Sequence, residues 1–228
     1  MTEYTDSFAE FLRAHRNDNE AVPMAAYMKN HFPFLGLKTP VRTALTREYW
    51  KSRGLPTREE FRTVVQELWA LPEREFQYTA MAILDRMDKS LTANDIGLLE
   101  ELILTRPWWD TVDLLAGHSV GRLFARHPEL ISAYTNKWMD SGELWLQRTA
   151  LLFQLGYKSK TDAGLLFRLI EQCKESKEFF IRKAIGWALR ELSKTDPDAV
   201  VSYVVEAGLS PLSEREALKF VHRTGNSG

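Results

Sequence analysis

Phe180-Ile-Arg-Lys-Ala-Ile-Gly-Trp-Ala188 aligns with Leu146-Gln-Arg-Thr-Ala-Leu-Leu-Phe-Gln154 and with Phe76-Gln-Tyr-Thr-Ala-Met-Ala-Ile-Leu84. Each segment opens on an apolar residue and carries alanine at its fifth position, followed by further apolar residues. The alanines, Ala80, Ala150 and Ala184, are 70 and 34 residues apart, which fits a period near 35 with one unit between the first two. Thr111-Val-Asp-Leu-Leu-Ala116 falls where that missing unit belongs. Arg42-Thr-Ala44 and Arg215-Glu-Ala217 extend the series in both directions, so the anchors run 44, 80, 115, 150, 184 and 217.

The intervening sequence is helical in pattern. Phe61, Val64, Val65 and Leu68 recur at helical spacing, as do Leu98, Leu99, Leu102 and Ile103. Pro56, Pro72, Pro107, Pro128, Pro197 and Pro211 each stand just ahead of such a pattern, where a helix tolerates proline. Alternating strand patterns closed by Asn-Gly or Asp-Gly are absent from the sequence. A period of 33–36 in an all-α chain predicts stacked helix pairs, an α-solenoid of about six repeats resembling HEAT repeats. One such domain is expected over residues 1–223, with a disordered tail at 224–228. The second helix of each pair is expected to line a concave groove.

The 228 residues carry 30 Lys+Arg against 31 Asp+Glu, a formal charge of -1, which by itself speaks against a nucleic-acid binder. The distribution says otherwise. Residues 59–113 hold 5 basic and 12 acidic side chains, and residues 148–194 hold 10 basic and 5 acidic ones. A local basic surface can bind a polyanion while the whole molecule is neutral. A hydrophobic share of 44% supplies a core and argues against disorder. The single cysteine, Cys173, excludes an intrachain disulfide framework and fits a reducing compartment. With no long apolar run and no signal-peptide pattern at the N-terminus, a cytoplasmic protein is expected, without membrane association and monomeric by default.

The repeat register aligns residues that share a surface. Two positions before each anchor stand Arg42, Tyr78, Asp113, Arg148, Arg182 and Arg215. On a groove-lining helix this is a row of cations around one carboxylate, and successive helix pairs about 10 Å apart would present it to successive phosphates. The plain alternative is that these arginines cap helices or form salt bridges within repeats. In Pro107-Trp-Trp-Asp-Thr-Val-Asp113, Trp109 and Asp113 are four residues apart and so share a helix face. An indole beside a carboxylate suits a cationic group. Trp187, in the basic half, is placed to join them. Taken singly, Trp108, Trp109, Trp145 and Trp187 suit core packing as well, since tryptophan is well buried on average.

Other chemistries lack their patterns. His15, His31, His118, His127 and His222 show no metal-type pairing, so no metal is expected. No glycine-rich nucleotide loop or G-x-S-x-G elbow occurs, and no cofactor is expected.

Several blocks resemble the AlkD-type DNA glycosylases of the DNA alkylation repair family. They are Pro23-Met-Ala-Ala-Tyr-Met-Lys-Asn-His-Phe-Pro-Phe-Leu-Gly-Leu-Lys-Thr-Pro-Val-Arg42, Glu67-Leu-Trp-Ala-Leu-Pro-Glu-Arg-Glu-Phe-Gln77, Trp108-Trp-Asp-Thr-Val-Asp113, Trp145-Leu-Gln-Arg148 and Ser176-Lys-Glu-Phe-Phe-Ile-Arg-Lys-Ala-Ile-Gly-Trp-Ala-Leu-Arg-Glu191. The similarity spans residues 20 to 220 or so. It implies HEAT-like repeats that hold duplex DNA on a concave face. The implied activity is excision of N3- and N7-alkylated purines without flipping the base into a pocket. Trp109, Asp113 and Trp187 match the family's active-site positions, with Arg148 as a phosphate contact. Tyr27, Lys38, Arg42, Arg182 and Arg190 are the further DNA contacts expected; Lys38 departs from the glutamine associated with the family.

The residues suit that reaction. An N3- or N7-alkylpurine is already cationic and leaves without a general acid. The sugar becomes oxocarbenium-like, and a fixed carboxylate stabilises that charge and orients water, as in glycoside hydrolysis. Asp113 is the expected carboxylate, with Trp109 and Trp187 cradling the cationic nucleotide. The competing expectation is a non-catalytic α-solenoid that binds DNA or an acidic protein partner, because a fold alone implies no chemistry.

Overall fold

A computed structural model of the protein describes residues 1–225. Every regular element is a helix, and no strand occurs among the described residues. The chain forms an all-α helical-repeat fold that divides into two compact units, one ending at Ser90 and one beginning at Leu91.

The first unit contains α1 (Glu3–Arg13), α2 (Asp18–Tyr27), α3 (Thr39–Arg53), α4 (Arg58–Ala70) and α5 (Arg74–Arg86). α4 starts where Thr57 and Glu60 form a capping box, each side chain satisfying the other's backbone N–H. Its apolar stripe, Phe61, Val64, Val65 and Leu68, is wholly buried, against α5 and α1. The Glu67 carboxylate reaches back to the N-terminus, accepting from the Thr2 backbone N–H at 2.9 Å.

The block Glu73-Arg-Glu-Phe-Gln77 is unusual for a helix start because all five side chains are buried. Each polar one has a task. Glu73 accepts two hydrogen bonds from the Arg13 guanidinium at 3.0 and 2.8 Å. Arg74 stacks on Phe32 at 3.8 Å. Glu75 accepts the backbone N–H groups of Leu35, Gly36 and Leu37 at 2.9–3.0 Å. Gln77 donates to the carbonyls of Trp69 and Leu71, both at 2.8 Å. A buried carboxylate is costly unless fully hydrogen-bonded, and three N–H donors meet that demand. Gly36 takes the left-handed φ of 85° in this turn, and a Cβ there would strike the backbone of Asn17 and Ala21. Glu75 thus sets the path of the segment that leads into α3.

The second unit is built of helix pairs. α6 (Ile96–Leu104) is followed by α7 (Trp109–Leu114), which runs without a break into a π-helical stretch, Leu115–Val120, and α8 (Gly121–Arg126). The next pairs are α9 (Glu129–Asp140) with α10 (Leu144–Leu152), α11 (Ala163–Cys173) with α12 (Phe179–Leu192), and α13 (Pro197–Ala207) with α14 (Pro211–Gly225). The second helices pack in chain order: α10 lies against the π-helical stretch and against α12, and α12 lies against α14. α9 packs on α11 in the same way. Each pair thus buries its apolar face on its neighbours, the arrangement expected of a repeat array.

The anchors fall on the second helices, and Ala80, Leu115, Ala150, Ala184 and Ala217 are buried. Ala44 is exposed instead, and α3 buries Leu45, Thr46 and Tyr49, so the repeat register slips at the first member. Gly186 governs the tightest approach. A Cβ there would overlap the Cβ of Glu216 and lie 2.8 Å from the Ser213 carbonyl oxygen, so only glycine lets α14 come this close to α12. Of the five residues expected to form a tail, Thr224 and Gly225 end α14, and residues 226–228 lie outside the described residues.

Candidate functional site

Asp113 sits in the last turn of α7, immediately before the backbone widens into the π-helical stretch. Such π insertions re-aim neighbouring side chains and recur at functional sites. Here the helix keeps its continuity while the Tyr157 hydroxyl donates to the Gly121 carbonyl at 2.7 Å, satisfying one backbone group where the geometry changes.

The Asp113 carboxylate is gripped by one guanidinium. Arg148 Nε donates to Oδ1 at 2.7 Å and Arg148 Nη2 donates to Oδ2 at 2.8 Å. Arg148 Nη1 donates to the carbonyl of Phe180 at 2.5 Å, which ties α7, α10 and the start of α12 through one side chain. The arginine side chain is 5% exposed and the aspartate 14%, so the pair is largely covered and the aspartate is the less enclosed partner. Burial pushes the Asp113 carboxyl above its ordinary value, against the downward pull of the Arg148 hydrogen bonds. The bidentate fork fixes the plane of the carboxylate, and each oxygen keeps a lone pair beyond the one facing Arg148.

Aromatic rings border this pair. Trp108, Trp145 and Phe180 are mutual neighbours, with ring centroids 5.8, 5.2 and 5.0 Å apart. All three are half-buried. The Arg148 guanidinium lies 5.7 Å from the Phe180 ring centroid, so the cluster and the ion pair are one assembly. Trp109, at the first position of α7, is also half-buried. Trp187 lies in the middle of α12 and is half-buried as well.

Residues in register meet across neighbouring pairs. Asp113 and Arg148 are one example; Arg42 and Tyr78 are another, with the guanidinium 4.5 Å from the ring centroid. Arg42 is largely withdrawn from water, which lowers its pKa. Arg182 Nε donates to the Ser176 carbonyl at 2.9 Å, capping its own helix approach. The row of cations expected from the register is therefore partly spent on neighbours. Arg148, expected to meet a phosphate, has its guanidinium bonded to Asp113 and to the Phe180 carbonyl.

The remaining expected contacts are dispersed. Tyr27, the last residue of α2, is 69% exposed. Lys38, at the N-cap of α3, pairs with Glu20 at 2.7 Å. Arg190 donates to Glu216 at 2.7 Å. Tyr27, Lys38 and Arg42 belong to the first unit; Trp109, Asp113, Arg148, Arg182, Trp187 and Arg190 belong to the second. Cys173 is buried, donates to the Leu169 carbonyl at 3.4 Å, and its thiol is pushed up to about 12, which suits an inert core residue. Sequence reasoning did not single out Phe180 or Glu216. Phe180 opens a repeat segment and Glu216 directly precedes an anchor, but neither position discloses its partner. No described helix is long and apolar enough to cross a membrane.

Residues 9–221 match the family described as DNA alkylation repair enzyme. Among solved structures, the chain is similar to one described as a predicted DNA alkylation repair enzyme from Enterococcus faecalis. The two are 32% identical with a TM-score of 0.84, over 90% of this chain and 96% of that one. No curated protein matches.

Proposed function

The chain belongs to the DNA alkylation repair enzyme family, and from that premise we propose that it is a DNA glycosylase. It would hydrolyse the N-glycosidic bond of cationic N3- and N7-alkylated purines in duplex DNA without flipping the base into a pocket. The observation that carries this reading is the Asp113 carboxylate: largely covered, fixed in plane by the Arg148 guanidinium, which also lies against Phe180 in a cluster of aromatic rings.

The reaction asks little of an acid. The alkylated purine takes the electron pair of the C1′–N bond and departs neutral, because it began as a cation. Positive charge moves onto C1′ and the ring oxygen of the sugar. Asp113, held in one orientation, stabilises that charge without reorganising. Water attacks C1′, its proton passes to Asp113, and the products are the free base and an abasic deoxyribose. A carboxyl whose pKa is raised by burial is a better base than an ordinary aspartate. Trp109 and Trp187 offer ring faces to the cationic nucleotide. Arg148 acts here as the positioning residue of Asp113. Arg148, Tyr27, Lys38, Arg42, Arg182 and Arg190 are the proposed DNA contacts, holding backbone without reading sequence.

Incubation with methylated duplex DNA should release N3-methyladenine and N7-methylguanine, while a uracil-containing duplex should be left intact. Asp113→Asn should still bind the duplex and should lose excision by about 100-fold or more under single-turnover conditions. Circular dichroism matching the wild-type spectrum would establish that the variant is folded. Excision by a folded Asp113→Asn at the wild-type rate would remove the catalytic assignment. A second reading follows from the same ion pair, which would also serve as a plain tie between α7 and α10 in a non-catalytic DNA-binding array. Binding with no released base from the wild-type protein would select it.

A further inference from the structure

α12 and α14 bring four charged side chains to one point. Glu216 Oε1 meets Lys183 Nζ at 2.9 Å and Lys219 Nζ at 2.5 Å, and Oε2 accepts from Arg190 Nη1 at 2.7 Å. The carboxylate is covered, at 7% exposure, whereas Lys183, Arg190 and Lys219 are 36%, 28% and 49% exposed. The negative charge is thus at the bottom and three positive charges face solvent.

The arrangement follows from sequence spacing. Lys183, Trp187 and Arg190 are separated by four and three residues, which places them on one stripe of α12. Glu216 and Lys219 are a three-residue pair on α14. Gly186 lets the Glu216 Cβ come against α12, so the carboxylate lies between Lys183 and Arg190 and not above them.

A tie between two helices needs one cation for one carboxylate. Two further cations repel one another and the first, at a cost in stability unless an anion shares them. Two of the three cations, Lys183 and Arg190, lie on the α12 stripe that carries Trp187, and Lys219 joins them from α14. Each ammonium spends one of three N–H donors on Glu216, and the guanidinium spends one of five. The hydrogen bonds from Lys219, Lys183 and Arg190 outweigh the upward push of burial and hold the Glu216 carboxyl down at about 2, so it stays ionised as the organising charge.

The geometry points to a phosphodiester-binding site made by Lys183, Arg190 and Lys219, in which Glu216 is the positioning residue that gathers the three cations beside Trp187. This rests on the glycosylase reading in one respect: Trp187 is taken to face the damaged nucleotide, so the site would hold the backbone adjoining the lesion. Arg190 was already an expected DNA contact; Lys183, Lys219 and the role of Glu216 are new.

Fluorescence anisotropy of a labelled undamaged duplex, titrated across a salt series, reads the site without using catalysis. Lys183→Met and Lys219→Met should each weaken binding and reduce the slope of log K against log salt by about 1. Unchanged slopes in both would overturn the site. Glu216→Gln adds a positive charge overall, so a carboxylate that merely masks cations predicts tighter binding. Loss of positioning predicts the reverse, a severalfold weaker complex with a shallower slope, and tighter or unchanged binding would overturn the role given to Glu216. Thermal unfolding of each variant separates these effects from loss of fold, since destabilisation alone leaves the slope of the folded fraction intact. Released base from a methylated duplex is scored in parallel. Wild-type protein that releases no base while Lys183→Met lowers the slope would defeat the glycosylase reading and leave the phosphodiester site standing. Release of base with unaltered slopes would do the opposite.

Discussion

At Asp113 two opposing influences meet on one carboxyl. Burial favours the neutral acid, and two hydrogen bonds from Arg148 favour the anion; burial wins, and the pKa is raised. The sign for activity is direct. The proposed chemistry needs the carboxylate, so excision should fall as pH drops through a single ionisation above the ordinary aspartate value of 3.8. A pH–rate profile corrected for spontaneous depurination measures it, and a limb at or below 3.8 would mean that Asp113 is not the group titrating. Arg148→Lys supplies one ammonium where the guanidinium made three hydrogen bonds. With the downward pull weakened, the acid limb should move to higher pH and the rate should fall about tenfold or more. Removing the cation altogether, as in Arg148→Met, leaves a buried carboxylate alone and should cost on the order of 3 kcal/mol in denaturant unfolding. The sequence exposed Trp109 and Asp113 because a four-residue spacing is visible in one dimension. It did not expose the partner of Asp113, because Arg148 is one whole repeat away and only packing of α10 on the preceding pair brings it in.

At the scale of the element, the helices were legible from their ends as much as from their faces. Pro197 and Pro211 open α13 and α14, and Thr57 with Glu60 caps α4. The π-helical stretch at Leu115–Val120, which packs against α10, left no such mark. Glu75 is the other hidden element-level device. It reads as an ordinary helix-start acid, yet its carboxylate holds three backbone N–H groups of the segment entering α3. Glu75→Gln presents an amide that can accept at one oxygen only and turns N–H against N–H. Stability should fall by about 2–4 kcal/mol, given that charge-assisted hydrogen bonds are worth more than neutral ones. A lower urea midpoint at an unchanged m-value would register this. A midpoint equal to wild type would mean that the segment is held by its apolar contacts alone.

For the whole molecule, a charge of -1 hides an acidic stretch followed by a basic one. Binding to undamaged duplex should therefore be governed by the few cations of the basic stretch. The affinity should be modest and should fall with log salt at a slope of about −3 or steeper. A flat salt response would place the binding outside electrostatics. Local spacing, proline positions and a small residue repeated at fixed intervals were enough to disclose the all-α class and a period near 35. Family membership was legible for the same reason, as blocks of contiguous residues. The tertiary structure alone decided which charges remain available. Arg42, Arg148 and Arg190 look alike as residues, and the first two share one register position. Once helices pack, the first stacks on Tyr78, the second is enclosed against Asp113, and the third shares Glu216 with two lysines. Charge state is a property of a residue, but what a charge can bind depends on which neighbours reach it first, and those neighbours lie tens of residues away along the chain.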